Sequence, residues 1–184
     1  MVRSILTTAA ALAFVATPAL AQPTATLPGT FTFTDWLTVN NAPVGAGAVD
    51  DNNVVYFLQE REIGGLQSWL IFFDPAASQG VIGTILFPSA IQSIATSTAD
   101  VTVTTATYQL TPTVSYASAA ATGLEAGDAA TFAGNVLSID WQASDPGDHI
   151  RVITTTVPEP ATHALIGAGM ALLMGFARRR RAGA

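Results

Sequence analysis

Residues 54–75 read VVYFLQEREIGGLQSWLIFFDP, and this stretch decides the fold. Two runs rich in β-branched and aromatic residues, 54–62 and 68–73, flank Gly64-Gly65, a pair suited to a tight hairpin with positive φ at both central positions. Asp74-Pro75 stops the second run, because proline cannot donate to a sheet ladder. The same grammar extends in both directions. Residues 31–37 (FTFTDWL) alternate aromatic with polar side chains, as a strand with one buried face does. Residues 81–87 form an apolar run ended by Pro88, and 91–95 follow with Ile91 and Ile94. Residues 101–110 are threonine-rich and alternate apolar with hydroxyl side chains, which predicts a further strand. Residues 135–141 and 149–155 complete the set. About eight short strands with Gly, Pro, Asp and Asn breaks predict an all-β domain, a sandwich or jelly roll. No helix signal of convincing length occurs in this region, and the Ala/Gly-rich segment 115–130 reads as a long surface loop.

The two ends of the 184-residue chain have a different character. Arg3, an apolar stretch over 5–16, Pro18 and then Ala19-Leu20-Ala21 have the layout of a secretory signal peptide, residues 1–21, cut after Ala21. At the other end Val157-Pro158-Glu159-Pro160 precedes an apolar run and then Arg178, Arg179, Arg180 and Arg181. Two prolines one residue apart block both helix and sheet and leave the tripeptide extended. Residues 161–177 as a helix would be roughly 25 Å long, at the short end of what spans a bilayer. The arginine cluster orients such a helix with its end in the cytoplasm and the β domain, residues 22–156, outside.

Composition narrows the function classes. There is no cysteine and no lysine, so neither a disulfide framework nor a thiolate metal site is available. Between Asp35 and Glu159 lie all 13 acidic residues but only Arg61 and Arg151 as bases, a net charge of −11 against −6 for the whole chain. Such a surface repels phosphate backbones and excludes nucleic acid as a partner.

The C-terminal pattern resembles the PEP-CTERM family of sorting signals over residues 157–181: Pro-Glu-Pro-Ala-Thr, a short hydrophobic helix, Gly-Phe-Ala, then arginines. The resemblance implies exosortase, a membrane enzyme that recognises Pro158, Glu159 and Pro160, as a processing partner beside signal peptidase. It implies transient anchoring in the inner membrane of a Gram-negative, polysaccharide-making bacterium, then release to the cell surface. His163 departs from the aliphatic residues usual at that place. A looser likeness covers the domain: Tyr56 to Glu60, Trp69 to Pro75, 81–85 and 149–154 are similar, in that order, to secreted β-sandwich domains that precede this signal. No activity comes with it.

Few residues carry chemistry. His149 is the domain's only histidine, and no Gly-x-Ser-x-Gly elbow offers a serine to pair with it and Asp145 or Asp148. Asp145 to Asp148 reads as a turn, with His149 opening a strand. Glu60 and Glu62, two apart in one strand, would share a face as an acid/base pair, although Arg61 and the glycines beyond suggest a solvated strand end. Asp50, Asp51, Asn52 and Asn53 put four oxygen-bearing side chains in one loop, a weak calcium candidate without the spacing of an EF-hand. Trp36, Trp69 and Trp141 sit in apolar strands where core packing is the default over a sugar platform. The expected role is therefore a non-enzymatic, cofactor-free structural or interaction protein of the exopolysaccharide matrix or biofilm. A carbohydrate-binding or carbohydrate-cleaving module of that matrix is the alternative.

Overall fold

The computed structural model describes residues 21–39, 44, 49–110, 113–116, 123–145 and 147–156, together with 167, 169, 170 and 173. Among the described residues of the unit that runs from Ala21 to Pro158 are nine strands and two helices: β1 (Thr24–Thr26), β2 (Thr32–Asp35), α1 (Trp36–Val39), β3 (Val54–Ile63), β4 (Leu66–Phe73), β5 (Gln79–Leu86), β6 (Ile91–Ala95), α2 (Thr98–Tyr108), β7 (Ala129–Ala133), β8 (Val136–Ala143) and β9 (Asp148–Thr155). They form a sandwich of a four-stranded sheet, β1-β5-β8-β7, and a five-stranded sheet, β2-β3-β4-β9-β6. Pairing is antiparallel except between β2 and β3.

The hairpin read at 54–73 is present, with Gly64 and Gly65 at φ 62° and 80° joining β3 to β4. Both glycines adopt the left-handed conformation that such a turn requires and that a Cβ penalises. Between the sheets lies a core that includes Phe57, Trp69, Ile71, Ile85, Trp141 and Ile150. In the four-stranded sheet, alternate residues of β8 point inward, giving buried Leu137, Ile139 and Trp141 between exposed Ser138, Asp140 and Gln142. The five-stranded sheet is different, for β4 and β9 are buried on both faces. A second apolar layer, with Trp36, Tyr56, Leu58, Leu70, Phe72 and Val114, covers its outer side. Continuous hydrophobic runs, rather than alternation, are the sequence mark of such doubly covered strands.

Residues 101–110, expected as a strand, belong largely to α2, and the expected lack of a helix in this region is overturned with them. Ser97 caps the helix by accepting a hydrogen bond from Asp100 N at 3.1 Å. Inside it, the hydroxyls of Thr102, Thr104 and Thr105 each donate to the carbonyl four residues back at 2.7 Å. Threonines that satisfy their hydroxyls this way are compatible with a helix despite their β propensity. The expected loop at 115–130 also proves too long, since β7 begins at Ala129. Strand β1 is short and carried no signal in the sequence reading.

Ala19, Pro158, Glu159, Pro160 and the cluster Arg178 to Arg181 lie outside the described residues; Ala21 is exposed at their start. Within 161–177 only Gly167, Gly169, Met170 and Leu173 are described, all of them helical. Among the described residues no helix is long and apolar enough to cross a membrane.

Candidate functional site

The most highly built polar arrangement centres on Glu60 and Arg151. A β-bulge flanks it: the four residues Gln59 to Glu62 of β3 span what the three residues Trp69 to Gln67 of β4 span opposite. Glu60 follows Tyr56 and Leu58 on the covered outer face of the sheet and is buried, whereas Arg61 and Glu62, where the register shifts, are exposed. The Glu60 carbonyl accepts from Gln67 Nε2 at 2.8 Å. Glu60 and Glu62 therefore do not form a pair on one face, and Glu60 is not a solvated strand end.

Each Glu60 carboxylate oxygen has two donors. Oε2 accepts from Arg151 Nε and from Ser68 Oγ, both at 2.6 Å. Oε1 accepts from Arg151 Nη2 and from the Tyr116 hydroxyl, both at 2.9 Å. Arg151 uses its remaining arm on α2, donating from Nη1 to Val101 O at 2.7 Å and to Thr104 Oγ1 at 2.6 Å. Tyr116 in turn accepts from Leu110 N at 3.2 Å. Burial and the Glu60 charge together push the Tyr116 phenol above its ordinary range. A buried ion pair survives desolvation only when its other hydrogen-bonding positions are filled, and here they are filled by the groups that cover the sheet. The arrangement therefore holds α2 and the segment around Tyr116 onto the sheet.

Next to it, the register aligns Tyr56, Phe72 and His149 across β3, β4 and β9. Phe72 stacks on His149 at 5.4 Å and on Tyr56 at 5.2 Å, with Trp36 edge-on to Tyr56 and Phe72. His149 is fully buried, and among the described residues neither ring nitrogen has a hydrogen-bond partner at regular geometry. Burial lowers its pKa to about 4, while the Gly147 backbone acts in the opposite direction, and Arg151 adds to the lowering. His149 does open a strand, as the sequence suggests, but Asp148 precedes it in β9 and so projects to the other face. Among the described residues no serine or aspartate is hydrogen-bonded to His149.

Asp148 is buried with Oδ2 unpartnered among the described residues. Burial, reinforced by the charges of Asp128 and Glu125, raises its carboxyl to about 7. The same two residues, with Asp140, Gln142, Ile82 and Pro28, line an open cleft of about 530 Å3 on the outer side of the four-stranded sheet.

The loop of Asp50, Asp51, Asn52 and Asn53 has two of its four side chains engaged within the protein. The Tyr56 hydroxyl donates to Asp51 Oδ2, and Gln79 Nε2 donates to Asn53 Oδ1. Asp50 and Asn53 adopt φ 52° and 61°, which Asx residues tolerate better than most. Among the described residues no group of three acidic or histidine side chains is placed to hold a metal ion. Trp36, Trp69 and Trp141 are all in the core, each 2% exposed or less, so none offers a sugar-stacking face.

The Glu60–Arg151 pair escaped the sequence reading although a signal was present. Arg151 lies within the apolar run Ile150-Arg151-Val152-Ile153 in a domain with only one other base. An arginine inside a buried strand requires an acid, and Glu60 closes the apolar run Tyr56 to Leu58 with one residue between.

Fold and sequence together define an all-β sandwich domain whose last strand leads straight into a C-terminal sorting segment. Residues 156–181 match the PEP-CTERM protein-sorting motif. The chain is thus an exported protein with a C-terminal anchor segment, and exosortase is the processing enzyme that the motif implies. No curated protein and no solved structure matches the chain.

Proposed function

We propose that the domain is a non-catalytic structural or interaction module of the cell surface or extracellular polysaccharide matrix. In this reading signal peptidase removes residues 1–21, the helix at 161–177 holds the protein briefly in the inner membrane, and exosortase releases it at Pro158 to Pro160. The observation that carries the domain's role is the use of its best polar constellation. Glu60, Arg151, Ser68 and Tyr116 face one another beneath α2 and bind the fold together, and both Glu60 carboxylate oxygens are engaged by donors of the domain itself. What faces solvent is an acidic surface without lysine, suited to staying soluble and to meeting hydroxyl-rich or cationic partners.

The test uses protein recovered from the surface fraction, mixed with cell-free extracellular polysaccharide of the producing strain. Co-sedimentation with no new reducing ends after prolonged incubation is the expected result. Failure to co-sediment removes the matrix role, and appearance of reducing ends removes the non-catalytic one.

A carbohydrate-binding module is the second reading, favoured by the cleft that Glu125, Asp128, Asp140 and Gln142 line. Carboxylates and amides accept hydrogen bonds from sugar hydroxyls, although the tryptophans that commonly complete such sites are in the core. Saturable binding of a defined oligosaccharide, lost in Asp140→Ala, would select this reading.

A further inference from the structure

The two ends of the sandwich differ in chemistry, and the chain leaves for its sorting signal from one of them. Strand β9 runs from Asp148, opposite Phe73, to Thr155, opposite Leu66, roughly 25 Å at the usual rise per strand residue. At the Asp148 end lie segments 50–54, 73–79, 124–129 and 140–148, which hold eight of the 13 acidic residues and no base. At the Thr155 end lie segments 21–24, 61–66, 86–91 and 133–136, whose charged residues are Arg61 and Glu62, with Asp35 bonded to Gln22 beside them. One net negative charge remains against eight at the other end. Near this second end Ile63, Leu86 and Phe132 are exposed by 37%, 48% and 41%.

The exit is tightly held. Thr155 N donates to Ala90 O at 3.0 Å, and Thr156 N donates to Gly65 O at 2.9 Å. Ser89 Oγ donates to Thr155 O. The sorting match begins at Thr156 itself, so the motif starts on a residue hydrogen-bonded into the domain. Pro158 is two residues on and Pro160 four, a reach of at most about 7 Å and about 14 Å for extended chain. An enzyme that takes Pro158 to Pro160 as extended substrate has too little spacer to work clear of the folded domain.

We propose that this charge-poor end, with Ile63 and Leu86 exposed upon it, is a docking surface for the membrane-embedded processing enzyme, so that fold and tripeptide are read together. The inference rests on the sorting reading above and adds the domain as part of the substrate. It also explains the placing of the carboxylates: the acidic end is kept away from an enzyme that sits in an anionic membrane.

The experiment is pulse–chase conversion of the full chain in its own bacterium, followed by mass. Insertion of ten Gly/Ser residues between Thr156 and Val157 should slow conversion, and so should Ile63→Asp with Leu86→Asp. About fivefold or more is expected, the scale of an interface side chain that matters to binding. Asp145→Asn at the opposite end should convert at the wild-type rate. An unchanged or faster rate with the spacer, or an unchanged rate in the Ile63/Leu86 variant with its melting temperature retained, overturns the proposal. Slower conversion of Asp145→Asn to the same degree also overturns it, because the effect would not be local. If processed, tail-free protein binds protein-free vesicles of bacterial lipid and Ile63→Asp abolishes this, the bilayer is the occupant and the enzyme is not. Normal conversion of Glu159→Ala would instead remove the sorting reading itself.

Discussion

Arg151 Nε lies 2.6 Å from Glu60 Oε2, and both side chains are completely buried. The two residues are 91 positions apart, on strands separated by β4. The pair therefore joins the beginning and end of the five-stranded sheet's chain path, and through Val101 and Thr104 it fixes α2 above them.

Breaking the pair should cost far more than an ordinary surface ion pair. Glu60→Leu or Arg151→Met is expected to lower unfolding free energy by about 3–5 kcal/mol, because each leaves an uncompensated buried charge. Glu60→Leu with Arg151→Met should lose much less than the sum of the two single effects, since no charge remains without its partner. Urea titration of the four proteins checks this, and additive losses would show that the pair is not coupled.

Asp148 and His149 should give stability slopes of opposite sign. The folded Asp148 carboxyl titrates at about 7, against an ordinary 3.8. The folded state thus holds a proton that the unfolded state has lost, and stability falls as pH rises from about 4 to about 7. His149 titrates at about 4, against 6.5. The unfolded state binds the proton there, so stability falls as pH drops from about 6.5 to about 4. In the wild type the two slopes oppose each other over the shared interval. Asp148→Asn should expose the histidine slope alone, with melting temperature dropping toward acid pH. His149→Phe, which keeps the ring stacked on Phe72, should expose the aspartate slope, with melting temperature dropping toward neutral pH. Profiles for both variants parallel to the wild type would refute the assignment.

Much of this architecture could be read from residues that speak locally. Gly64-Gly65 between two apolar runs specifies a hairpin without reference to anything distant, and the outer-face alternation of 136–142 specifies one exposed sheet face. The signals that failed are those decided elsewhere in the fold. Residues 98–108 carry no apolar stripe at helical spacing, because Val101 is the buried side chain of α2. What holds the helix in place is a carbonyl and a hydroxyl bonded to Arg151, which a periodicity argument cannot see. Glu60 is hidden for a related reason: its cover, Arg151 with α2 and Tyr116, comes from distant segments, while the exposed neighbours Arg61 and Glu62 suggest a solvated end. At the C-terminus the reverse holds, since the sorting motif over 156–181 is a linear pattern that can be recognised without tertiary context.

Gly147 and Gly134 have nearly equal φ, 64° and 62°, but different surroundings. A Cβ on Gly147 would lie 2.7 Å from Asp74 Cα and from Phe73 O, both backbone, whereas nothing lies within 4 Å of one on Gly134. Gly134→Ala should therefore cost about 1 kcal/mol, the left-handed penalty alone. Gly147→Ala should cost about 2 kcal/mol or more, because strand β4 must shift as well. Equal losses in denaturant titration would show that the close approach at Gly147 carries no energy.

The loop of Asp50, Asp51, Asn52 and Asn53 is expected to be held by Gln79 and Tyr56 and not by calcium. Gln79 accepts from Asn53 N at 3.3 Å and donates to the Asn53 side chain. Gln79→Ala should lose about 1–2 kcal/mol from the two bonds. Neither chelator nor added calcium should move the melting temperature of wild type or variant. A calcium-dependent rise would show ligand linkage and restore the metal site.

The sorting reading makes the sharpest demand on the C-terminal tail. In the proposed reading a helix over 161–177 would be roughly 25 Å long, short for a lasting span, and its sequence carries Gly167, Gly169 and Gly175. In that reading Arg178 to Arg181 would keep its far end in the cytoplasm and leave Pro158 to Pro160 on the outer side, within reach of a membrane-embedded enzyme. Protein from the surface fraction should therefore lack the residues from His163 onward and end at or near Pro160. Glu159→Ala should leave full-length chain in the inner membrane, since recognition fails while anchoring persists. Neutralising Arg178, Arg179, Arg180 and Arg181 should act earlier, through lost retention and mixed orientation, so less precursor reaches the processing step. Mass spectrometry separates these outcomes. Peptides from 165–176 at full stoichiometry in the surface fraction would mean a permanent anchor, and the motif would then be serving as a membrane tether and not as a cleavage signal.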